Sequence, residues 1–144
     1  MLVPPRASKQ VTRGGRFLFV DDDAVALRTW RRLLRRRRPQ WEVYTAESGA
    51  AALHQLDTRT YDVVVSDLEM LEMNGLDLLR IVQRRWPRVV RMLFSGYASA
   101  LDDESLSDIY HLMLDKSSST EQLISALERC LAYADDGGSN HATG

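Results

Sequence analysis

The side chains in this sequence best placed to do chemistry are acids that follow short apolar runs. Asp21, Asp22 and Asp23 come straight after the run 16–20, and Asp67 comes after a run containing Val63, Val64 and Val65. Ser95 closes the run 89–94, and Lys116 follows the run 111–114 by two residues. If the acids share one crevice, each pair about 4 Å apart repels by about 4 kcal/mol at an effective dielectric near 20. Either one group takes a proton or a cation sits among them. With oxygen donors only and no His or Cys nearby, a hard divalent cation is expected. Mg2+ fits best because it needs few carboxylates and keeps its waters. Mg2+ is in turn a companion of phosphate. A phosphoryl group on Asp67 would meet the metal on one side, Lys116 as a point charge on another, and a hydrogen bond from Ser95. The expected chemistry is therefore an aspartyl phosphate at Asp67. The lysine itself stands out, since of 19 basic residues only Lys9 and Lys116 are not arginines.

That chemistry needs elements that bring distant residues to one edge. The unbroken β-branched run at 63–65 reads as a strand covered on both faces. Further strands are expected at 16–20, 41–45, 89–94 and 111–114. Helices are expected between and after them. The first starts near Ala24, with Leu27, Trp30, Leu33 and Leu34 as its buried stripe and Pro39 as its stop. The second follows Ser48-Gly49. The third spans 75–86, with Leu76, Leu79, Ile81 and Val82 inward. A weak, acidic fourth spans 101–110. The last carries Leu123, Ile124, Leu127, Cys130 and Leu131, with Ser118 and Glu121 at capping-box spacing. Asn74-Gly75 supplies residues that tolerate positive φ after Asp67. Strands and helices alternating five times predict an α/β, doubly wound, five-stranded parallel sheet of order 2-1-3-4-5, the flavodoxin-like arrangement. In that order strands one and three flank the crevice at the carboxyl edge, and all the polar residues above lie along it.

Composition bounds the rest. A chain of 144 residues with 44% hydrophobic content can bury one domain's core, and its net charge of -1 offers no global attraction to nucleic acid. No apolar run reaches membrane-spanning length, and the first 15 residues lack the apolar centre of a secretory signal. The single cysteine, Cys130, excludes an internal disulfide and fits a reducing compartment, so the cytoplasm is the expected location.

The segments FVDDD (19–23), VVVSDLEMLEMNG (63–75) and LFSG (93–96), together with Lys116, resemble the receiver domain of bacterial two-component response regulators. The resemblance covers 16–133, leaving 1–15 as a flexible arm and 134–144 as a disordered tail. It implies that Asp67 accepts a phosphoryl group from the phosphohistidine of a histidine kinase or phosphotransfer protein. It also implies a role for each neighbour. Asp22 would be a direct Mg2+ ligand, Asp21 would act mainly through water, and the backbone carbonyl of Glu69 would be a further ligand. Lys116 would hold the phosphoryl oxygens, and Ser95 would swing towards them as the switch. Such domains catalyse their own phosphorylation and slow dephosphorylation. They signal through the face made by the fourth helix, fifth strand and last helix. A stand-alone receiver is expected, its readout falling to an unidentified partner or to a homodimer.

Three positions depart from the family pattern. Leu71 stands where a proline often follows methionine, Met113 where many members carry an aromatic residue, and Ser117 where a proline, often cis, follows the lysine. A cis bond to serine costs about 3 to 4 kcal/mol, so a trans loop is expected. These departures support a rival reading as a pseudo-receiver adaptor that works without phosphorylation. A second rival is a phosphatase of haloacid-dehalogenase type. Asp21-Asp22-Asp23-Ala24-Val25 fits its DxDx(T/V) pattern, with Asp21 as nucleophile, Asp23 as acid, and Ser95, Lys116 and Asp135-Asp136 imitating later motifs. In the receiver reading Asp23 is instead a helix cap. The arginines at 35–38 read as the solvated face of an amphipathic helix that helps dock an acidic kinase surface, and nucleic acid is not expected as a partner. His54 and His111 lack a second ligand at metal spacing, and Cys130 reads as a core residue.

Overall fold

All four residues of Val63–Ser66 are buried, which only a central strand with cover on both faces achieves. In a computed structural model that describes residues 13–96 and 108–136, this strand (β3) lies in the middle of a five-stranded sheet of order β2-β1-β3-β4-β5. The others are β1 (Gly15–Val20), β2 (Trp41–Ala46), β4 (Val90–Ser95) and β5 (Leu112–Asp115), and every pairing is parallel. The helices among the described residues are α1 (Ala24–Arg37), α2 (Gly49–Thr58), α3 (Gly75–Arg85) and α4 (Thr120–Asp135). The expected topology and fold class are observed. The helix expected at 101–110 falls mostly outside the described residues, and Asp108 and Ile109 form a turn before β5.

The strands' period of two divides the core. Phe17, Phe19, Val63, Val65, Val90 and Met92 face α1 and α4, where Leu27, Leu34, Leu127 and Cys130 meet them. Leu18, Val20, Val64 and Leu93 face the other way, onto Ala52, Leu56, Leu78, Leu79 and Val82 of α2 and α3. Burial takes the Cys130 thiol up to about 12, so it is an inert core group.

Several local expectations are corrected. The strongest inward residues of α3 are Leu78, Leu79 and Val82, while Leu76 and Ile81 are only half-buried. Asn74 does not adopt positive φ; it caps α3, its side chain accepting from Asp77 N at 2.8 Å. The left-handed residue of this loop is Glu72, with φ 69. Gly75 is required sterically, because a Cβ there would lie 2.2 Å from the carbonyl oxygen of Asp67. The capping box of α4 is Ser119 and Gln122, one residue beyond the expected pair. The turn after β5 uses up Ser118, whose N–H donates to Asp115 O at 3.0 Å. β1 begins at Gly15, one residue before the expected start of the domain, and α4 runs to Asp135, two residues past its expected end.

Candidate functional site

The parallel register brings the chemistry-bearing residues together. Val20 lies opposite Ser66, and Ser95 lies opposite Asp115, so Asp21, Asp67, Ser95 and Lys116 all emerge at the carboxyl edge. Backbone bonds hold the two central acids there. Asp21 N donates to Ala46 O at 3.1 Å, and Asp67 N donates to Val20 O at 2.9 Å. Behind Asp67, Gly75 N donates to Leu68 O at 2.8 Å, which draws the start of α3 tight under the loop. The Ser66 hydroxyl, fully buried, donates to Asp67 O at 2.9 Å.

Lys116 joins the two strands electrostatically. Its Nζ lies 2.7 Å from Asp21 Oδ2 and 3.1 Å from Asp67 Oδ1. Both acids are buried, Asp21 at 1% exposure and Asp67 at 8%. The lysine's aim is set from two sides. Its N–H donates to Ser95 O at 2.9 Å, and its ammonium sits 5.4 Å from the Trp30 ring centroid. Trp30 reads from sequence only as core; its ring packs against Phe94 at a tilt, with centroids 4.8 Å apart, and contact with Lys116 appears only once α1 and β5 are placed. No described peptide bond is cis. After Lys116, Ser117 N donates to Asp115 Oδ1 at 2.8 Å, a serine-compatible turn in place of the family's proline.

The protonation balance of the site is uneven. Burial pushes the Asp67 carboxyl above its ordinary range, and the charge of Asp21 adds to this, while the hydrogen bond from Lys116 only partly opposes it. Burial works against the Lys116 ammonium, but its hydrogen bonds to Asp21 and Asp67 outweigh that, and its pKa is raised. The lysine is thus firmly charged and lies closer to Asp21, which leaves Asp67 the under-compensated acid.

Asp22 is exposed beside this pair, with one oxygen accepting from Leu71 N at 3.3 Å. Single oxygens of Asp21, Asp22 and Asp67 all lie within 4.8 Å of one another. Three carboxylates and one ammonium leave the cluster a formal charge of -2, and its donors are all hard oxygens. That set fits Mg2+. Asp23 stands apart, its side chain accepting from Val25 N and Ala26 N as the cap of α1. Glu69 is exposed in the loop after Asp67, Ser95 is buried at the end of β4, and Leu71 is 81% exposed in the same loop as Glu69. Met113 is half-buried on the α2–α3 side of β5.

Comparison with known proteins agrees with this geometry. The family pattern of the response regulator receiver domain matches residues 17–128. The transcriptional regulatory protein GlrR of Escherichia coli K12 is 30% identical over 124 residues, covering 83% of this chain and 28% of GlrR. The alginate biosynthesis transcriptional regulatory protein AlgB of Pseudomonas aeruginosa is 41% identical over 78 residues, covering 53% of this chain and 17% of AlgB. The chain thus spans less than a third of the length of these curated relatives. Among solved structures, response regulator protein TrrA of Thermotoga maritima, in complex with Mg2+-BeF, superposes with TM-score 0.74 at 25% identity, over 81% of this chain and 99% of TrrA. An uncharacterized protein of Neptuniibacter caesariensis superposes with TM-score 0.78 at 27% identity, over 88% of this chain and 93% of its own. With its sheet order, its clustered acids, its bridging lysine and a family match over most of its length, this chain belongs to the response regulator receiver domain family.

Proposed function

We propose that Asp67 is the phosphoacceptor and takes its phosphoryl group from the phosphohistidine of a histidine kinase or phosphotransfer protein. The observation that carries this is Lys116 held between Asp21 and Asp67 at the edge where three carboxylates converge. An Asp67 Oδ attacks the phosphorus, the P–N bond breaks, and the electron pair leaves with the donor imidazole. Lys116 neutralises the phosphoryl oxygens, and Ser95 hydrogen-bonds to them as the switch. Asp21, Asp22, Asp67 and the backbone carbonyl of Glu69 would hold Mg2+, which supplies charge neutralisation for the incoming phosphoryl group. Signal leaves through the face of β5 and α4, where Leu112, Met113 and Leu114 are half-buried beside the first two turns of α4. The downstream partner or a homodimer would dock there.

The phosphatase alternative needs Asp23 as an acid, whereas its carboxylate caps α1, and it leaves Asp67 idle. The adaptor alternative draws on the exposed Leu71, yet an intact lysine–carboxylate cluster is not what a site freed from phosphorylation needs to keep. Beryllofluoride with Mg2+, a stable phosphoryl mimic, tests the reading. Wild type should gain several degrees in melting temperature and Asp67→Asn none. An equal shift in both proteins, or no shift in wild type, would remove Asp67 from its role.

A further inference from the structure

The arginines of α1 form a second charged region, unrelated to the acids. Six of its 14 residues are arginine and none is acidic. The apparent run 35–38 is not one unit in space. Arg37 reaches Glu121 at 3.1 Å, and Arg38 reaches Glu128 at 2.8 Å with its guanidinium 5.8 Å from the Trp41 ring, so both are spent tying α1 to the rest of the domain. The remaining five, Arg28, Arg31, Arg32, Arg35 and Arg36, are all exposed. None has a carboxylate partner among the described residues. At 3.6 residues per turn they fall within an arc of roughly 140°, on the side of the helix away from Trp30 and Leu34, which pack into the core. Arg28, Arg32 and Arg36 recur every fourth residue, as do Arg31 and Arg35, and each such like-charge pair weakens an isolated helix by about 0.2 to 0.5 kcal/mol. The ridge therefore carries a standing repulsion that a bound polyanion would relieve.

We infer that this ridge binds the phosphate backbone of nucleic acid without sequence preference. From Arg28 to Arg36 the helix rises about 12 Å, and duplex DNA carries one charge per roughly 1.7 Å of axis, so several phosphates lie within reach. Guanidinium groups suit phosphate bidentately. A membrane surface is a poorer fit, because the apolar face of α1 is already buried in the domain and cannot insert. An acidic protein is poorer too, because the exposed large apolar side chain on this face, Val25, lies before the first arginine and not at the centre of the ridge, where protein interfaces carry their apolar core. The net charge of -1 does not oppose this, since the positive charge is concentrated on one face.

The test is fluorescence anisotropy of a labelled 20-base-pair duplex of mixed sequence titrated with the full chain. Five neutralised phosphates predict that affinity falls about 500-fold between about 50 and about 200 mM salt. The variant Arg28→Gln/Arg32→Gln/Arg36→Gln should retain two contacts and fall only about tenfold over the same range. Arg31→Gln/Arg35→Gln should fall about 40-fold and serves if the triple variant does not fold. Arg84→Gln/Arg88→Gln, on exposed arginines elsewhere, should match wild type. Absence of salt-dependent binding in wild type, or the same salt dependence in the ridge variants as in wild type, overturns the inference. So does polyglutamate displacing the duplex at equal charge concentration, which would assign the ridge to acidic polypeptides, or tighter binding to anionic vesicles than to the duplex.

Discussion

Among the described residues the domain buries charge in two places, near opposite ends of strand β4, and treats it in opposite ways. Near the start of the strand, Arg91 is 5% exposed and points into the α2–α3 side of the sheet. No carboxylate pairs with it among the described residues. Its Nε donates to Ile109 O at 2.7 Å and its Nη1 to Val89 O at 3.2 Å. Burial alone lowers its pKa. At the other end, beyond Ser95, Lys116 meets two carboxylates and a third lies close by, so negative charge is left over. A cation enclosed by carbonyl dipoles is a finished structural joint: it pins the 108–109 turn to β4 and has nothing further to bind. A carboxylate cluster with only one cation is unfinished, and under the function proposed above a divalent ion and a phosphoryl group would complete it.

The sharpest way to break this contrast is at the closed end. Arg91→Ala empties a buried volume and strands two carbonyls, and should cost about 4 kcal/mol in urea unfolding while leaving Mg2+ affinity unchanged. A loss below about 1 kcal/mol would mean that water replaces the guanidinium easily. At the open end, Lys116→Met leaves the buried Asp21 carboxylate unpaired. Because the lysine is partly exposed, the loss should be nearer 2 kcal/mol than the 3 to 5 of a fully buried pair. Saturating Mg2+ should restore part of it; if it restores none, the cluster is not the metal site.

The smallest effect is the most diagnostic. Asp67 has a raised pKa in the folded state, so the folded protein binds that proton more readily than the unfolded chain does. Stability from this group is highest below the ordinary value of 3.8 and is lost as pH rises from there through the raised folded value. Above that window wild type carries the penalty in full. Without metal, Asp67→Asn should therefore be more stable than wild type near neutral pH, with the gap closing in acid. Melting curves from pH 3 to pH 8 in a chelating buffer would show it, and a variant less stable than wild type at pH 7 would reverse the assignment of Asp67 as the under-compensated acid.

The open end was the more legible of the two in the sequence. Its residues are polar groups at the ends of apolar runs, and parallel topology alone carries Asp21, Asp67, Ser95 and Lys116 to one edge. Local capping was less legible. Ser118 with Glu121 has the same spacing as Ser119 with Gln122, and only the turn that engages Ser118 decides between them. Gly75 reads as a turn residue, whereas its necessity comes from contact with the Asp67 carbonyl, a tertiary fact. Arg91 was invisible, because an arginine inside a strand pattern reads as solvent-facing until the 108–109 turn is seen to supply its acceptors. The arginines of α1 misled in another way. Adjacency at 35–38 suggested one patch, and helical geometry with Glu121 and Glu128 divided it.

The central claim is that Asp67 becomes phosphorylated, and intact mass spectrometry after incubation with acetyl phosphate and Mg2+ tests it most directly. The expected result is one phosphoryl adduct on wild type, absent from Asp67→Asn and lost on addition of hydroxylamine, which cleaves acyl phosphates. An adduct that persists on Asp67→Asn, or a folded wild type that stays unmodified by acetyl phosphate and by phosphohistidine donors alike, would contradict it.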